Sequence, residues 1–327
     1  MRVRAQYALA IAVGTFYGVG CRVFFGGHLP RLANVWVIMS LVFLFVVPFA
    51  IGYITQTVAV KNPPPSPLIP SLLAPILPIL VACLFTLIAG SEGMICIAFF
   101  LPIGMIMAVA GGLTARFVSR HAQKRLNQTA LAIAVLPFLL GFPESRVGSP
   151  DEVRSVDTSI SINAPVDVVW RNIERVPAIT PKELPWSWSR SIGFPQPIEA
   201  TLSAEQIGGV REASFAGGVV FTETIFDWQP MRELAFTIRP NTNQIPATVM
   251  DEHVKVGGKY FDVLTGRYEI LPQSDGRVRL RLTSQERLST HFNMYAGFWT
   301  DAVMRDIQNS ILVVIKNRCE RQAKLAS

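Results

Sequence analysis

Residues 161–170, SINAPVDVVW, lie halfway along a chain of 327 residues. Apolar and polar side chains alternate over 156–163, which predicts a β-strand. Pro165 follows, and proline is tolerated in the first turn of a helix because an N–H there has no partner within the helix. Val168 and Ile173 then fall on one helical face. The stretch therefore predicts the start of a soluble domain in which a strand leads directly into a short helix.

The second half of the chain continues with short alternating runs that are typical of an antiparallel sheet. In RVRLRLTS, residues 277–284, three arginines alternate with Val278, Leu280 and Leu282, so that one face meets water and the other meets a core. Similar runs cover 198–203, 209–215, 219–228, 233–239 and 260–271. Apolar residues three or four positions apart predict a long amphipathic helix over 295–321. Such a helix is long enough to cover the buried face of a curved sheet, and this arrangement tends to leave a tapered cavity between them.

The order of these elements resembles the START-like, or polyketide-cyclase (SRPBCC), superfamily. SINAPVDVVW is similar to its opening, in which a strand ends at Ala-Pro and a Trp follows on the first helix. FTETIFDWQPMRELAFTI, residues 221–238, is similar to its mid-sheet pattern, and GRVRLRLTSQERL, residues 276–288, resembles its ending. The resemblance covers residues 155–322 and implies a helix-grip fold, an α+β domain whose curved antiparallel sheet wraps around the C-terminal helix. The superfamily includes lipid carriers, cyclases, hormone receptors and chaperone-activating modules, so the resemblance implies a fold rather than an activity.

The first half of the chain has the composition of a membrane protein. Only 16% of the chain is charged, against roughly 25% in soluble domains. Four uncharged apolar runs, at 5–21, 32–54, 68–90 and 94–113, are long enough to cross about 30 Å of hydrocarbon. We therefore predict an all-α transmembrane region of four or five helices over 1–142, a linker over 143–154 and a helix-grip domain over 155–322.

A fifth apolar segment, 129–142, determines the side of the membrane on which the domain lies. As a helix it covers about 21 Å, so it either crosses the bilayer together with its flanking residues or lies in the interface. Basic residues mark the cytoplasmic side of a membrane protein. One side of the predicted spans carries Arg2, Arg4, Lys61, Arg116, Arg120, Lys124 and Arg125, and the other carries Arg22 and Arg31. We expect the segment to span, which places the domain on the periplasmic side of a bacterial cytoplasmic membrane; an interfacial segment would leave it in the cytoplasm.

The basic charge of the chain is confined to the apolar half. Residues 1–142 contain nine Lys or Arg and one acid, Glu92, whereas the rest contains 21 basic and 22 acidic residues. The soluble part therefore lacks the basic surface that nucleic-acid binding requires, and nucleic acid is excluded as a partner. Cys319 is the only cysteine of the second half, so we expect no disulfide within that domain.

The sequence contains no motif for catalysis or metal binding. HxH, HExxH, CxxC and GxSxG are all absent, so we expect neither a metal nor another cofactor. The candidates for function are therefore residues that could line a ligand pocket in the second domain: Trp186, Trp188, Phe221, Glu223, Tyr268, His291, Tyr295 and Trp299.

Each candidate also has an ordinary structural interpretation. Glu223 alternates with Phe221; on an inner face it is a buried carboxyl with a raised pKa, and otherwise it faces solvent or pairs with an arginine. Tyr268 is either a cavity or a core residue. Trp186 and Trp188 form a lid, an aromatic membrane anchor or ordinary packing.

The residues around the start of the long helix have similar alternatives. Tyr295, Phe298 and Trp299 are core residues or a pocket wall. His291 precedes them as a capping residue, a loop residue or a pocket residue.

These observations favour a membrane-anchored binding protein that holds a hydrophobic small molecule or lipid taken from the bilayer. Two alternatives stay open. One is a regulatory module with a filled core that binds a membrane protein. The other is a cyclase-type enzyme with acid and base chosen from Glu223, Tyr268 and His291. A solid core would favour the regulatory module, and convergence of two titratable groups in a cavity would favour the enzyme.

Overall fold

The computed structural model describes residues 2–26, 38–59, 72–121, 125–241 and 255–326. They belong to two compact units. The first unit comprises Met1–Pro150 together with Thr290–Phe292, and the second comprises Asp151–Ser289 together with Asn293–Ser327.

Apolar helices make up the first unit. Its helices are α1 (Arg2–Phe25), α2 (Val47–Ala59), α3 (Ile76–Ile88), α4 (Met94–His121) and α5 (Leu126–Glu144). A π-helical segment, Val42–Val46, leads into α2. Among the described residues, four helical runs are long and apolar enough to cross a membrane: Ala5–Phe25, Val42–Ala59, Met94–His121 and Leu126–Glu144.

The third apolar helix is shorter than the run 68–90 predicts. Helix α3 has 13 residues and begins at Ile76, with Pro75 as its N-cap. Proline has no amide hydrogen to donate within a helix, which explains a helix start at this point. At 1.5 Å per residue, α3 alone spans about 20 Å.

Two further boundaries differ from the predicted ones. Residues 38–40, inside the predicted run 32–54, are bent, and the helical run that follows them begins near Val42. The fifth segment is a continuous helix of 19 residues that runs to Glu144, into the predicted linker. Residues 32–37 and 68–71 of the predicted spans, with Arg31, Lys61 and Lys124, lie outside the described residues.

Helices α2 and α4 meet backbone to backbone. A Cβ atom on Gly52 would lie 1.9 Å from the carbonyl oxygen of Ala108, and one on Gly111 would lie 2.0 Å from that of Phe49. No side chain fits at such distances. In lipid, where the hydrophobic effect does not drive helices together, small residues allow the close contact that holds apolar helices against each other.

The second unit is built on a seven-stranded antiparallel sheet. Its strands are β1 (Glu152–Ile162), β2 (Pro197–Leu202), β3 (Val210–Phe215), β4 (Val219–Gln229), β5 (Glu233–Asn241), β6 (Phe261–Pro272) and β7 (Val278–Leu288). The strand order is β1-β7-β6-β5-β4-β3-β2, so the first strand pairs with the last. Two short helices, α6 (Val166–Glu174) and α7 (Trp188–Ser191), precede β2, and α8 (Asn293–Ala326) ends the chain. This architecture confirms the predicted helix-grip fold.

Helix α8 covers one face of this sheet, which is termed the inner face. The alternation in β7 confirms the prediction that Val278, Leu280 and Leu282 are buried while Arg279 is exposed. A buried amide, Gln308, ties α8 to the sheet. Its Nε2 donates to the Val156 carbonyl oxygen at 3.2 Å and to the Ser284 hydroxyl at 2.9 Å.

The first turns of α8 depart from the predicted apolar face. Phe298 was expected to be a core or pocket residue, yet it is 65% exposed, and Met294 one turn earlier is 90% exposed. The buried line of the helix instead passes through Gly297 and Met304. A Cβ on Gly297 would lie 2.6 Å from the Arg154 guanidinium carbon, so the glycine leaves room for that group beneath the helix.

Candidate functional site

The inner face is packed differently along the length of α8. Toward the C-terminal half of the helix lies the larger buried core, in which Leu280, Leu312 and Ile315 are each 0% exposed. Around Met304, apolar side chains from four separate segments remain partly exposed. This group is termed the open cluster, and its members are the buried Val156, Val256, Val263 and Met304 and the partly buried Phe194, Phe221, Ile238 and Phe261.

A buried ion pair lies next to the open cluster. Arg211 on β3 stands directly opposite Glu223 on β4, and the two side chains are only 3% and 9% exposed. The guanidinium bonds the carboxylate, and its Nε donates to the Glu174 carbonyl oxygen at 3.1 Å. Burial raises the pKa of Glu223, and the charge of Arg211 opposes that rise. Glu223 is therefore both buried and arginine-paired, and its partner is a residue that we did not predict.

Two aromatic rings cover Arg211. Its guanidinium carbon lies 5.1 Å from the centre of the Phe236 ring and 6.0 Å from that of Tyr268, within the range of cation–π attraction. The Phe236 ring fits because its partner on β6 is Gly266, where a Cβ would lie 2.5 Å from the ring. Burial raises the pKa of Tyr268 to about 12, so its hydroxyl stays neutral near pH 7. Tyr268, Arg211 and Glu223 thus form a group of buried polar side chains in contact with one another.

A second carboxyl on the inner face has no comparable partner. Glu286 on β7 is 0% exposed, and its cross-strand neighbours are Arg154 on β1 and Val263 on β6. Neither of its oxygens makes a hydrogen bond of ordinary geometry to the described residues. Burial raises the pKa of Glu286 to about 7, and the nearby Thr300 hydroxyl opposes that rise.

An aromatic group surrounds the start of α8. The centre of the Trp299 ring lies 6.4 Å from that of Trp188 and 6.3 Å from that of Tyr295. The short helix α7, which carries Trp188, is attached to α8 through Asp306. The Asp306 carboxylate accepts hydrogen bonds from the Ser189 amide at 3.1 Å and the Ser189 hydroxyl at 2.6 Å.

Trp186 and His291 are the two remaining predicted pocket residues. Trp186 is 80% exposed, so the structure separates it from its near neighbour Trp188, which is partly buried. His291 belongs to Thr290–Phe292 and therefore to the first unit. The chain passes from the first unit to the second between His291 and Tyr295.

Arg211, Glu286 and Met304 were not predicted as site residues. The position of Glu286 could have been predicted, because it continues the even-numbered buried series of Leu280 and Leu282 along β7. Arg211 carries a weaker signal. It alternates with Ala213 and Phe215 on a strand of six residues, but an arginine is usually exposed.

Comparison with known proteins gives matches at the level of the fold. No protein-family model matches the sequence, and no curated protein does. An aromatase/cyclase from Streptomyces is 15% identical, with 54% of this chain and 99% of that chain covered and a TM-score of 0.34. A truncated norcoclaurine synthase from Thalictrum flavum is 9% identical, with 50% and 94% covered and a TM-score of 0.32. At these identities the likeness concerns the fold alone, and neither activity is carried over to this chain.

Proposed function

We propose that the protein is a membrane-anchored binding protein that holds a hydrophobic small molecule or lipid at the open cluster. One observation supports this proposal most directly. Phe194, Phe221 and Phe261 stay partly exposed around Met304, whereas Leu280, Leu312 and Ile315 further along α8 are fully buried. Partly open apolar surface lined by aromatic rings is typical of small-molecule sites. A bound hydrophobic molecule would complete the burial of these rings.

The four long apolar helices supply the anchor in this proposal. A membrane-attached domain stays close to apolar molecules, which partition into the bilayer and are scarce in water. The anchor therefore raises the concentration of ligand that the domain meets.

The alternative of a cyclase-type enzyme has less support than a binding protein. The Glu223 carboxylate forms an ion pair with Arg211. Burial raises the pKa of Tyr268 to about 12, so its hydroxyl does not release its proton near pH 7. His291 belongs to the other unit. An acid and a base that act on one substrate must both reach it, and Glu223 and Tyr268 are engaged with Arg211 instead.

We expect a hydrophobic molecule to co-purify with the full-length protein, and a Met304→Trp substitution to displace it. The indole is larger than the methionine side chain and would be placed against Phe221 and Phe261, which belong to the same cluster as Met304. We expect the amount retained to fall about tenfold, equivalent to about 1.4 kcal/mol of binding free energy. The protein would be transferred from membranes into lipid nanodiscs, and solvent extracts would be analysed by mass spectrometry.

Asn309→Trp on the exposed side of the same helix is the matched control, and it should retain as much ligand as the wild type. Equal amounts in all three proteins would mean that only bulk lipid was extracted. That result would favour the alternative of a regulatory module with a filled core.

The helix directions support a location of the second unit on the periplasmic side. Gly14 of α1 lies against Pro78 of α3, and Gly18 lies against Ala82 one turn further along both helices. Helices α1 and α3 therefore run in the same direction, and α3 passes through the helical unit despite its short length.

Helix α5 runs in that same direction as well. Tyr53 bonds the Thr129 hydroxyl near the start of α5, whereas the Leu41 amide donates to the Glu144 carboxylate at its end. Helix α5 is thus antiparallel to α2, which itself is antiparallel to α1, since Gly14 contacts Thr55 and Gly18 contacts Ile51.

The basic residues lie at the other end of the helical unit from Glu144. Arg116 and Arg120 end α4, and Arg125 precedes α5. Since positively charged loops stay in the cytoplasm, the chain leaves α5 on the non-cytoplasmic side. In a bacterial cytoplasmic membrane this is the periplasm.

Reporter fusions test this orientation. Alkaline phosphatase attached after Ser327 should be active and green fluorescent protein at the same position should be dark, because the first requires export and the second folds in the cytoplasm. The same reporters attached after His121, in the loop between α4 and α5, should give the opposite result. A fluorescent fusion at Ser327 would place the second unit in the cytoplasm.

A further inference from the structure

Glu286 borders the open cluster and is fully enclosed. Its cross-strand neighbour Val263 is a member of that cluster. On the helix side it lies near the Thr300 hydroxyl, one turn from Met304, which also belongs to the cluster. None of the Glu286 surface is exposed. The carboxyl is thus a polar group at the edge of an apolar site.

The charged groups that face Glu286 are engaged with one another. Arg154 donates from Nε and Nη2 to the two Asp301 oxygens at 3.0 and 2.9 Å, and it also bonds Glu152. Arg305 lies 3.8 Å from Asp301. On the β6 side, the neighbour of Glu286 is the apolar Val263. Neither Glu286 oxygen has a hydrogen-bond partner of ordinary geometry among the described residues, because the nearby Thr300 hydroxyl donates to the Gly297 carbonyl oxygen at 3.3 Å.

A buried carboxyl without a hydrogen-bond partner favours a particular kind of ligand group. A neutral carboxylic acid offers one O–H donor and at least one acceptor oxygen. A buried polar group without partners costs about 1–3 kcal/mol. A hydroxyl group both donates and accepts, so one alcohol satisfies both needs. A hydrocarbon satisfies neither, and an amine requires the ionised acid.

We propose that the buried Glu286 carboxyl binds a hydroxyl group on the hydrophobic ligand, so that the ligand class is an apolar alcohol. This inference rests on the proposed function, because it requires a ligand at the open cluster. Glu286 would bind the polar end of the molecule while the aromatic rings contact its apolar part.

Matched probes test the proposal on the full-length protein in lipid nanodiscs. Tritiated 1-dodecanol and dodecane have the same carbon chain and differ in the hydroxyl group, and binding to empty nanodiscs is subtracted. We expect dodecanol to bind about tenfold more tightly than dodecane, a difference of about 1.4 kcal/mol. Since a pKa of about 7 leaves about nine-tenths of Glu286 neutral at pH 6 and about one-tenth at pH 8, dodecanol affinity should fall about tenfold between them.

Two variants separate the hydroxyl contact from simple packing. Glu286→Gln keeps one donor and one acceptor, so it should bind dodecanol at both pH values without the loss at pH 8. Glu286→Met removes both and should bind dodecanol and dodecane equally. Gln285→Met, on the exposed side of the same strand, should behave as the wild type.

The outcomes distinguish this inference from the proposed function. Equal wild-type binding of both probes, abolished by Met304→Trp, would overturn the hydroxyl assignment and leave the proposed function standing. Dodecylamine that binds more tightly at pH 8 than dodecanol binds at pH 6 would also overturn it, in favour of an ionised Glu286. Absence of specific binding by either probe would overturn both.

Discussion

Replacement of Arg211 by Met is expected to lower the free energy of unfolding by about 3–5 kcal/mol, because it leaves the buried Glu223 carboxylate without its partner. Arg211 is 3% exposed and Glu223 is 9% exposed, so water does not replace the lost contact. The substitution also removes the cation above Phe236 and Tyr268. Thermal unfolding of the full-length protein in detergent, followed by near-ultraviolet circular dichroism, measures the loss.

Two comparisons separate this effect from general damage to the sheet. The double variant Arg211→Met with Glu223→Leu should recover most of the stability, since a buried ion pair can often be replaced by apolar residues of similar volume. Arg281→Met breaks a pair with Asp157 whose side chains are 43% and 57% exposed, and it should cost less than about 1 kcal/mol. A loss in Arg211→Met no larger than in Arg281→Met would contradict a desolvated pair.

Glu286→Gln is expected to remove a pH-dependent loss of stability of about 3 kcal/mol. The carboxyl has an ordinary pKa of 4.5 in the unfolded chain, and burial raises its pKa to about 7 in the folded protein. Between these values the folded state keeps the proton that the unfolded state has released. Stability is therefore highest below about pH 4.5, decreases as the pH rises to about 7, and stays low above it. Glutamine does not titrate, so the variant lacks this dependence.

Unfolding measured at pH 5 and pH 8 tests the prediction. The stability of the wild type minus that of Glu286→Gln should become more negative by about 2.5 kcal/mol between these values, because part of the change occurs below pH 5. Glu212→Gln, at an exposed position on β3, should follow the wild type at both. Parallel behaviour of the wild type and Glu286→Gln would show that the carboxyl is ionised in the folded protein throughout. It would thereby remove the neutral group that the hydroxyl proposal requires.

The cost of Glu286 bears on its role. A glutamine at the same position would offer a donor and an acceptor without the penalty at pH 8. A titratable acid at this position has a function if its two protonation states bind the ligand with different affinities. The stability measurement and the probe measurement therefore examine the same proton, one without ligand and the other with it.

The helix-grip fold could be predicted because its signals are local and periodic. Alternation in RVRLRLTS assigned Leu280 and Leu282 to the core, and the same alternation, continued along the strand, assigns Glu286 to the buried face. Runs of uncharged residues predicted membrane helices because the length of a span depends only on bilayer thickness and the rise per residue. Such features belong to a single element and do not depend on what it contacts.

The candidate site depended on contacts between elements that are distant in sequence. The pairing of Arg211 with Glu223 follows from the register of β3 on β4, and Gly266 accommodates Phe236 through the register of β5 on β6. A register shift between Val263 and Thr265 places Val263 on the inner face together with Tyr268, which simple alternation does not allow.

The sequence by itself therefore determined the class of each element, the boundary between an apolar and a soluble half, and the inward face of the regular strands. Tertiary structure alone decided which charges are neutralised, which carboxyl is left without a partner, and where the inner face stays open. The physical reason is that burial and pairing depend on every neighbouring group. The same side chain, such as Glu223 or Glu286, is ordinary when it faces water and becomes energetically decisive when a helix such as α8 removes it from solvent.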